Sequence, residues 1–246
     1  MKLNTLACTA LLVTASLTAV NTAHAAIALD RTRIIFEGGT QAQALSISNQ
    51  NKTMPYLAQA WVEDDKGNKI ENPFMALPPL QRIEAATSSQ VKLQLTGTAQ
   101  LAQDKESLFY FNLREIPPKS NKANTLQIAL QTRIKMFFRP ASLKLANGDI
   151  PQKAITLTRE GNHFIVNNPT GYFITIAHAA ASEKGEDIAG FSADMVAPKG
   201  NMRLSGNTAQ LGNHPVLTYI NDYGGRPKLI FSCSGNVCKV TDTRIG

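Results

Sequence analysis

From Leu126 to Met136 the chain reads LQIALQTRIKM, with apolar side chains at Leu126, Ile128, Leu130, Ile134 and Met136. Gln127, Gln131, Arg133 and Lys135 fall between them, and Thr132 interrupts the apolar row without breaking its period of two. That period predicts an extended strand with one apolar and one polar face. At about 3.3 Å per residue the stretch would reach roughly 36 Å, about twice the length of an ordinary strand. It runs into a basic cluster and then Pro140. Similar runs recur on both sides of it. IALDRTRIIF, ALSISN, YLAQAWVED, VKLQLTG and LFYFNLREI precede it, and AITLTRE, HFIVNN, YFITIAHA, VLTYIND and KLIFSCS follow.

Turn signals separate these runs: GG, NQNK, DDKGN, PP, NNPTG, PKG and YGGRP. No segment sustains a helical period, although LAQDKESL is compatible with a turn or two. Regularly spaced short strands predict an all-β protein built from sandwiches or barrels. A dozen or so strands exceed what one small sandwich holds. The break at RPASLKLANGDIPQ divides them into two β domains, residues 26–145 and 146–246.

The first 25 residues belong to neither domain. Lys2 is followed by the apolar LACTALLVTASLTAV and then by AHA. A charged start, an apolar centre and a small-x-small site predict a signal peptide cleaved after Ala25. The apolar run is short for a membrane anchor and contains Thr and Ser. No second stretch is long and apolar enough to span a bilayer, so the mature chain is expected to be exported and soluble. Composition agrees with a folded product, being 43% hydrophobic and 17% charged.

The formal charge is +7, or +6 once Lys2 is removed with the leader. Such a balance can signal nucleic-acid binding, but export and the lack of a long Lys/Arg run argue against it. General solubility and a local anion site both remain open. Of three cysteines, Cys8 lies in the leader, which leaves Cys233 and Cys238 in FSCSGNVCKV. No second ligand pair accompanies them, so they do not spell a zinc site. In an oxidising compartment, two cysteines across a tight SGN turn predict a hairpin disulfide. There is no G-x-S-x-G elbow, Walker loop or H-E-x-x-H. His163, His178 and His214 are scattered, too sparse for a copper or zinc centre. The chain is therefore expected not to be an enzyme.

Five stretches carry more than a fold. LDRTRIIFEGG, NKTMPYLAQAWVED, ESLFYFNLREIPPKS, LQIALQTRIKMFFRP and YINDYGGRPKLIFSCSGNVC strongly resemble the periplasmic pilus chaperones, over almost the whole mature chain. The resemblance implies two immunoglobulin-like β-sandwich domains with a cleft between them. It also implies a protein that binds pilin subunits, stabilises them and delivers them to an outer-membrane usher. No ATP, cofactor or metal is implied, because the folding energy retained by a bound pilin can drive later release. A pilin resembles a sandwich lacking its last strand, with a groove open to its core. A lent strand would pair with the open edge and fill that groove. The donated residues implied here are Leu126, Ile128 and Leu130, with Ile134 either continuing the row or turning into the chaperone's own core.

The resemblance implies further residue roles. Arg33 and Lys135 match the cations that hold the pilin C-terminal carboxylate in the family. Glu106, Arg139 and Asp222 match an ionic link between the domains. Pro78–Pro79 matches a turn where the family has a cis peptide. The short KSNKANT connection resembles the subclass that serves rod-like, adhesive-tipped pili. A secreted structural or adhesive β-sandwich, such as a pilus subunit, is the alternative. Against it, the sandwich motif starts within four residues of the cleavage site and leaves no room for a subunit's own donor extension. Self-association of the free protein, to cover its open edge, also remains open.

Overall fold

The computed structural model describes residues 25–98 and 101–246, so the expected leader lies almost wholly outside the described residues. The described chain is nearly all β and forms two domains. The first contains β1 (Ile27–Leu29), β2 (Arg33–Glu37), β3 (Ala42–Asn49), β4 (Tyr56–Glu63), β5 (Lys69–Ile70), β6 (Phe74–Leu77), β7 (Leu80–Ile83), β8 (Ser88–Leu95), β9 (Ser107–Ile116) and β10 (Gln131–Arg139). One of its sheets has the order β1-β3-β8-β6; the other has β2-β10-β9-β4-β5, with β7 also pairing β4.

The alternation in each strand explains this layering. Leu45 and Ile47 of β3 and Val91 and Leu93 of β8 point inward from one sheet. They meet Ile34 and Phe36 of β2, Val62 of β4 and Phe111 and Leu113 of β9 from the other. Phe74 sits among three further aromatics, its ring centroid 5.0 Å from Phe36, 5.0 Å from Phe109 and 6.1 Å from Phe138. The pairs with Phe36 and Phe109 are edge-to-face, an arrangement that contributes about 0.5–1.5 kcal/mol each beyond burial.

IALDRTRIIF is two strands on opposite sheets. Ile27–Leu29 pairs β3, and Arg33–Glu37 pairs β10. Asp30 marks the crossing, its carboxylate accepting hydrogen bonds from the Arg31 guanidinium (2.7 Å) and the Ser46 N–H (3.3 Å). A short acidic side chain satisfied locally in this way favours leaving a ladder over continuing it.

The second domain contains β11 (Thr156–Glu160), β12 (His163–Asn168), β13 (Ile174–Ala180), β14 (Asp194–Val196), β15 (Gly200–Arg203), β16 (Val216–Ile220), β17 (Lys228–Ser234) and β18 (Val237–Arg244), with a single helical turn α1 (Thr208–Leu211). Its strands run in one hydrogen-bonded path, β14-β13-β16-β17-β18-β11-β12-β15. That path encloses Leu157, Phe164, Val166, Ile176, Leu217, Leu229 and Phe231. The β17–β18 hairpin closes on Gly235–Asn236, with Gly235 at φ +60°, the value a II′ turn needs at its first central position. Cys233 and Cys238 face each other across that hairpin and form the disulfide.

The expected extent of the long strand needs correction. The long strand begins at Gln131, not Leu126. The β9–β10 register, carried past its last partners Gln131 and Arg114, would set Ile128 opposite Pro117, which has no N–H to donate. LAQDKESL forms no helix, because its polar groups are taken by other segments: the Ser142 hydroxyl donates to the Gln103 carbonyl and the Glu106 N–H to that of Gly171. The Pro78–Pro79 turn contains a cis bond, at Leu77–Pro78, and a second cis bond lies at Asn72–Pro73.

Candidate functional site

β10 has different neighbours along its length. One edge pairs β9 antiparallel from Gln131 to Phe138. The other edge pairs β2 in parallel, but only from Lys135 to Arg139. Residues 131–134 thus have an outer edge with no strand beside it among the described residues. Lys135 and Arg33 form the first pair of the parallel ladder, so two cations far apart in sequence are direct cross-strand neighbours.

Arg33 Nη1 donates to the carbonyl of Ile220 in the second domain at 3.2 Å. Its Nε is buried without a partner. Burial lowers the pKa of Arg33, against the charges of Asp222 and Glu106. Burial also lowers that of Lys135; the Arg33 charge adds to this and Asp194 opposes it. Neither cation forms an ion pair among the described residues. Two half-buried like charges with a spare donor are relieved by an anion, and a planar carboxylate suits a guanidinium beside an ammonium. Arg33 also borders a recess of about 410 Å³ that reaches Asp222 and Tyr223 across the cleft.

Upstream, continuing the alternation of β10 puts Leu126, Ile128 and Leu130 on the same face as Ile134, Met136 and Phe138. Met136 and Phe138 are core residues, and Ile134 packs against that core. Leu126, Ile128 and Leu130 are 85%, 65% and 41% exposed. The apolar row thus leaves the first domain's own core and continues into solvent. Ile134 belongs to the core end of the row.

Arg139, at the other end of β10, lies between the domains. Its Nε donates to Glu106 Oε1 at 2.8 Å, and Nη1 and Nη2 donate to the two oxygens of Asp222 at 2.7 and 2.9 Å. The other Glu106 oxygen accepts from the Phe173 N–H at 2.8 Å. Asp222 is presented by a turn in which Asn221 Oδ1 accepts from the N–H groups of Tyr223 (3.1 Å) and Gly225 (2.8 Å), with Gly224 at φ +85°. Burial pushes the Glu106 carboxyl up to about 6, against the Arg139 charge and the hydrogen bonds it accepts. Burial works to lower the Arg139 pKa, but the bonds and charges of Asp222 and Glu106 outweigh it and raise it.

Other cross-domain contacts lay beyond sequence reasoning. Phe137 stacks at a tilt on Phe173, ring centroids 5.5 Å apart. Tyr172 Oη donates to the Leu143 carbonyl at 2.8 Å. Lys199 Nζ reaches Asp104 at 2.5 Å. One signal was present: in KMFFRP the alternation fails, and three successive apolar residues mean a strand covered on both faces. Phe138 faces its own core while Phe137 faces the second domain.

Two β-sandwich domains, joined through a buried arginine beside a cation pair at the end of an open strand edge, define a chaperone of the pilus-assembly type. The family models agree. Residues 26–144 match the "Pili and flagellar-assembly chaperone, PapD N-terminal domain" and residues 151–231 the "Pili assembly chaperone PapD, C-terminal domain". The chain belongs to this family of fimbrial chaperones. It is 48% identical over 222 residues to the probable fimbrial chaperone YfcS of Escherichia coli K12, covering 89% of this chain and 88% of YfcS. To the Escherichia coli chaperone protein PapD it is 46% identical over 223 residues, covering 90% and 92%. Among solved structures, the Salmonella enterica SafA pilin in complex with the SafB chaperone matches with a TM-score of 0.72 at 27% identity, over 86% of this chain and 98% of that one. No helix among the described residues is long and apolar enough to cross a membrane.

Proposed function

We propose that this chaperone works in the periplasm after removal of a signal peptide. It binds pilin subunits by lending them the strand around residues 126–134, and it passes them to an outer-membrane usher. The observation that carries this reading is the outer edge of β10 upstream of Lys135. β2 occupies the same edge further on, in parallel, starting at Arg33. A guest strand laid parallel to β10 ahead of β2 would therefore end at Arg33 and Lys135, with its C-terminal carboxylate against the two cations. Fixing that end sets the register, and a slip of one residue would turn the guest's apolar side chains to the wrong face.

Leu126, Ile128 and Leu130 then enter the guest's groove, and the buried Glu106–Arg139–Asp222 link holds the angle of the cleft. Pairing of this edge with a second copy gives the free protein a way to cover it. The direct test is Arg33→Ala and Lys135→Ala. Each is expected to abolish or severely weaken co-purification of a pilin from periplasm without lowering the melting temperature, since truncating one side of a close charge contact typically costs about 2–5 kcal/mol. Binding at wild-type strength by both variants would remove the carboxylate assignment. Unfolding of both would make the residues structural.

A further inference from the structure

We infer that Pro117 holds residues 126–129 out of the β9–β10 ladder, and that this limits how tightly a lent strand grips its guest. The inference rests on the strand-donation reading above. Its first support is register. Leu130 and Glu115 are the next facing pair after Gln131 and Arg114, and the Glu115 N–H donates to the Leu130 carbonyl at 2.9 Å. Antiparallel pairs alternate between those that exchange both backbone bonds and those that exchange none. The next bonded pair would be Ile128 with Pro117, where the N–H is missing. Pro118 falls at a non-bonded position, its nitrogen directed toward the β4 side. Of the two adjacent prolines, only the first removes a rung.

The second support is what replaces the ladder. Residues 126–129 make no backbone–backbone hydrogen bond. Instead the Gln127 side chain reaches across: Nε2 donates to the Pro118 carbonyl at 2.6 Å, and Oε1 accepts from the Ser120 N–H at 3.3 Å. Pro118 is the residue that Gln127 would face if the register continued. The segment is thus tethered beside β9 by one side chain rather than zipped to it by its backbone.

The consequence follows from strand geometry. Pairing with β9 would use the backbone groups of Leu126, Ile128 and Leu130. A guest on the outer edge would use those of Gln127, Ala129, Gln131 and Arg133. The two do not compete, so a zipped segment would be a better-organised donor, not a blocked one. Pro117 leaves the ordering of the segment to the binding step, where lost conformational entropy subtracts from affinity. A grip weakened in this way suits a protein that must give its guest up.

The experiment compares Pro117→Val with Pro118→Val in the mature protein, with Pro117→Ala as a milder second variant. Amide hydrogen exchange by NMR reads the ladder in the free protein. Calorimetry reads binding of a synthetic peptide of alternating apolar and polar residues, with a free C-terminal carboxylate, and of its C-terminal amide. Pro117→Val is expected to slow exchange at Ile128 at least about tenfold and to tighten binding of the free-acid peptide about tenfold through slower dissociation. Pro118→Val should change neither. Unchanged exchange in both Pro117 variants, protection without tighter binding, or equal effects of the two valine variants would each overturn the inference. Wild-type protein that binds neither peptide would overturn strand donation, and with it the limit on affinity. The exchange rates would still decide whether Pro117 stops the ladder.

Discussion

Replacing Arg139 with Met removes the guanidinium that joins the domains but keeps a flexible apolar stem. The cost depends on which partner is left stranded. The Glu106 side chain is 2% exposed, whereas that of Asp222 is 31% exposed and can rehydrate. Without Arg139, Glu106 keeps only the Phe173 N–H. Stranding one member of a buried pair costs about 3–5 kcal/mol, while a partly exposed contact contributes about 1 kcal/mol or less. Arg139→Met is therefore expected to lower stability by about 3–5 kcal/mol and Asp222→Asn by about 1 kcal/mol. Urea unfolding of the single variants, of Glu106→Gln and of the Arg139→Met/Glu106→Gln double variant completes a cycle. If the stranded charge is the source, Arg139→Met should cost at least about 2 kcal/mol less in the Gln background. Equal cost in both backgrounds, or a cost below about 1 kcal/mol in the wild type, would refute the reasoning.

The pH dependence has a fixed sign. The folded Glu106 carboxyl sits at about 6, above the ordinary 4.5. Between those values the folded state holds more proton than the unfolded state, so this group favours folding below about 4.5 and loses that contribution as pH rises through about 6. Removing Arg139 moves the folded value further up. The deficit of Arg139→Met should thus be largest near neutral pH and shrink on acidification toward pH ~5. A deficit that grows on acidification would contradict the burial account.

Three further outcomes follow. Ile128→Lys puts an ammonium where an apolar groove would close over it and should abolish pilin co-purification, whereas Ala129→Lys, on the opposite face, should retain most of it; equal binding by both would sink the donated-strand assignment. Cys233 and Cys238 close a loop of sequence separation 5, so reduction should lower the stability of the second domain by about 2 kcal/mol and leave pilin capture near wild type; free thiols in unreduced, denatured protein would contradict the bridge. Glu115→Gln weakens the bond its carboxylate accepts from the Ile27 N–H at 2.9 Å, and should speed exchange at that amide while leaving the β9–β10 amides protected.

The sequence showed the strands that bury an alternating face and concealed those too short to alternate. YLAQAWVED, LFYFNLREI and HFIVNN correspond to β4, β9 and β12 almost residue for residue, because each spans several periods against a core. Lys69–Ile70, Leu80–Ile83 and Asp194–Val196 exist only because a longer neighbour templates them. The misread start of β10 has a different origin. Alternation reports which face a residue would show if extended; it does not report whether a partner strand can hydrogen-bond there. That second condition was written eleven positions upstream of Ile128, at Pro117, and it becomes readable only once the register between β9 and β10 is known. The same dependence on register hides the cation pair. Arg33 and Lys135 are ordinary surface cations until a parallel pairing makes them neighbours at the end of an unpaired edge. At that point their chemistry and their position constrain each other. In the proposed reading, a guest strand takes the orientation of β2 on this edge and brings its C-terminal end to the two cations.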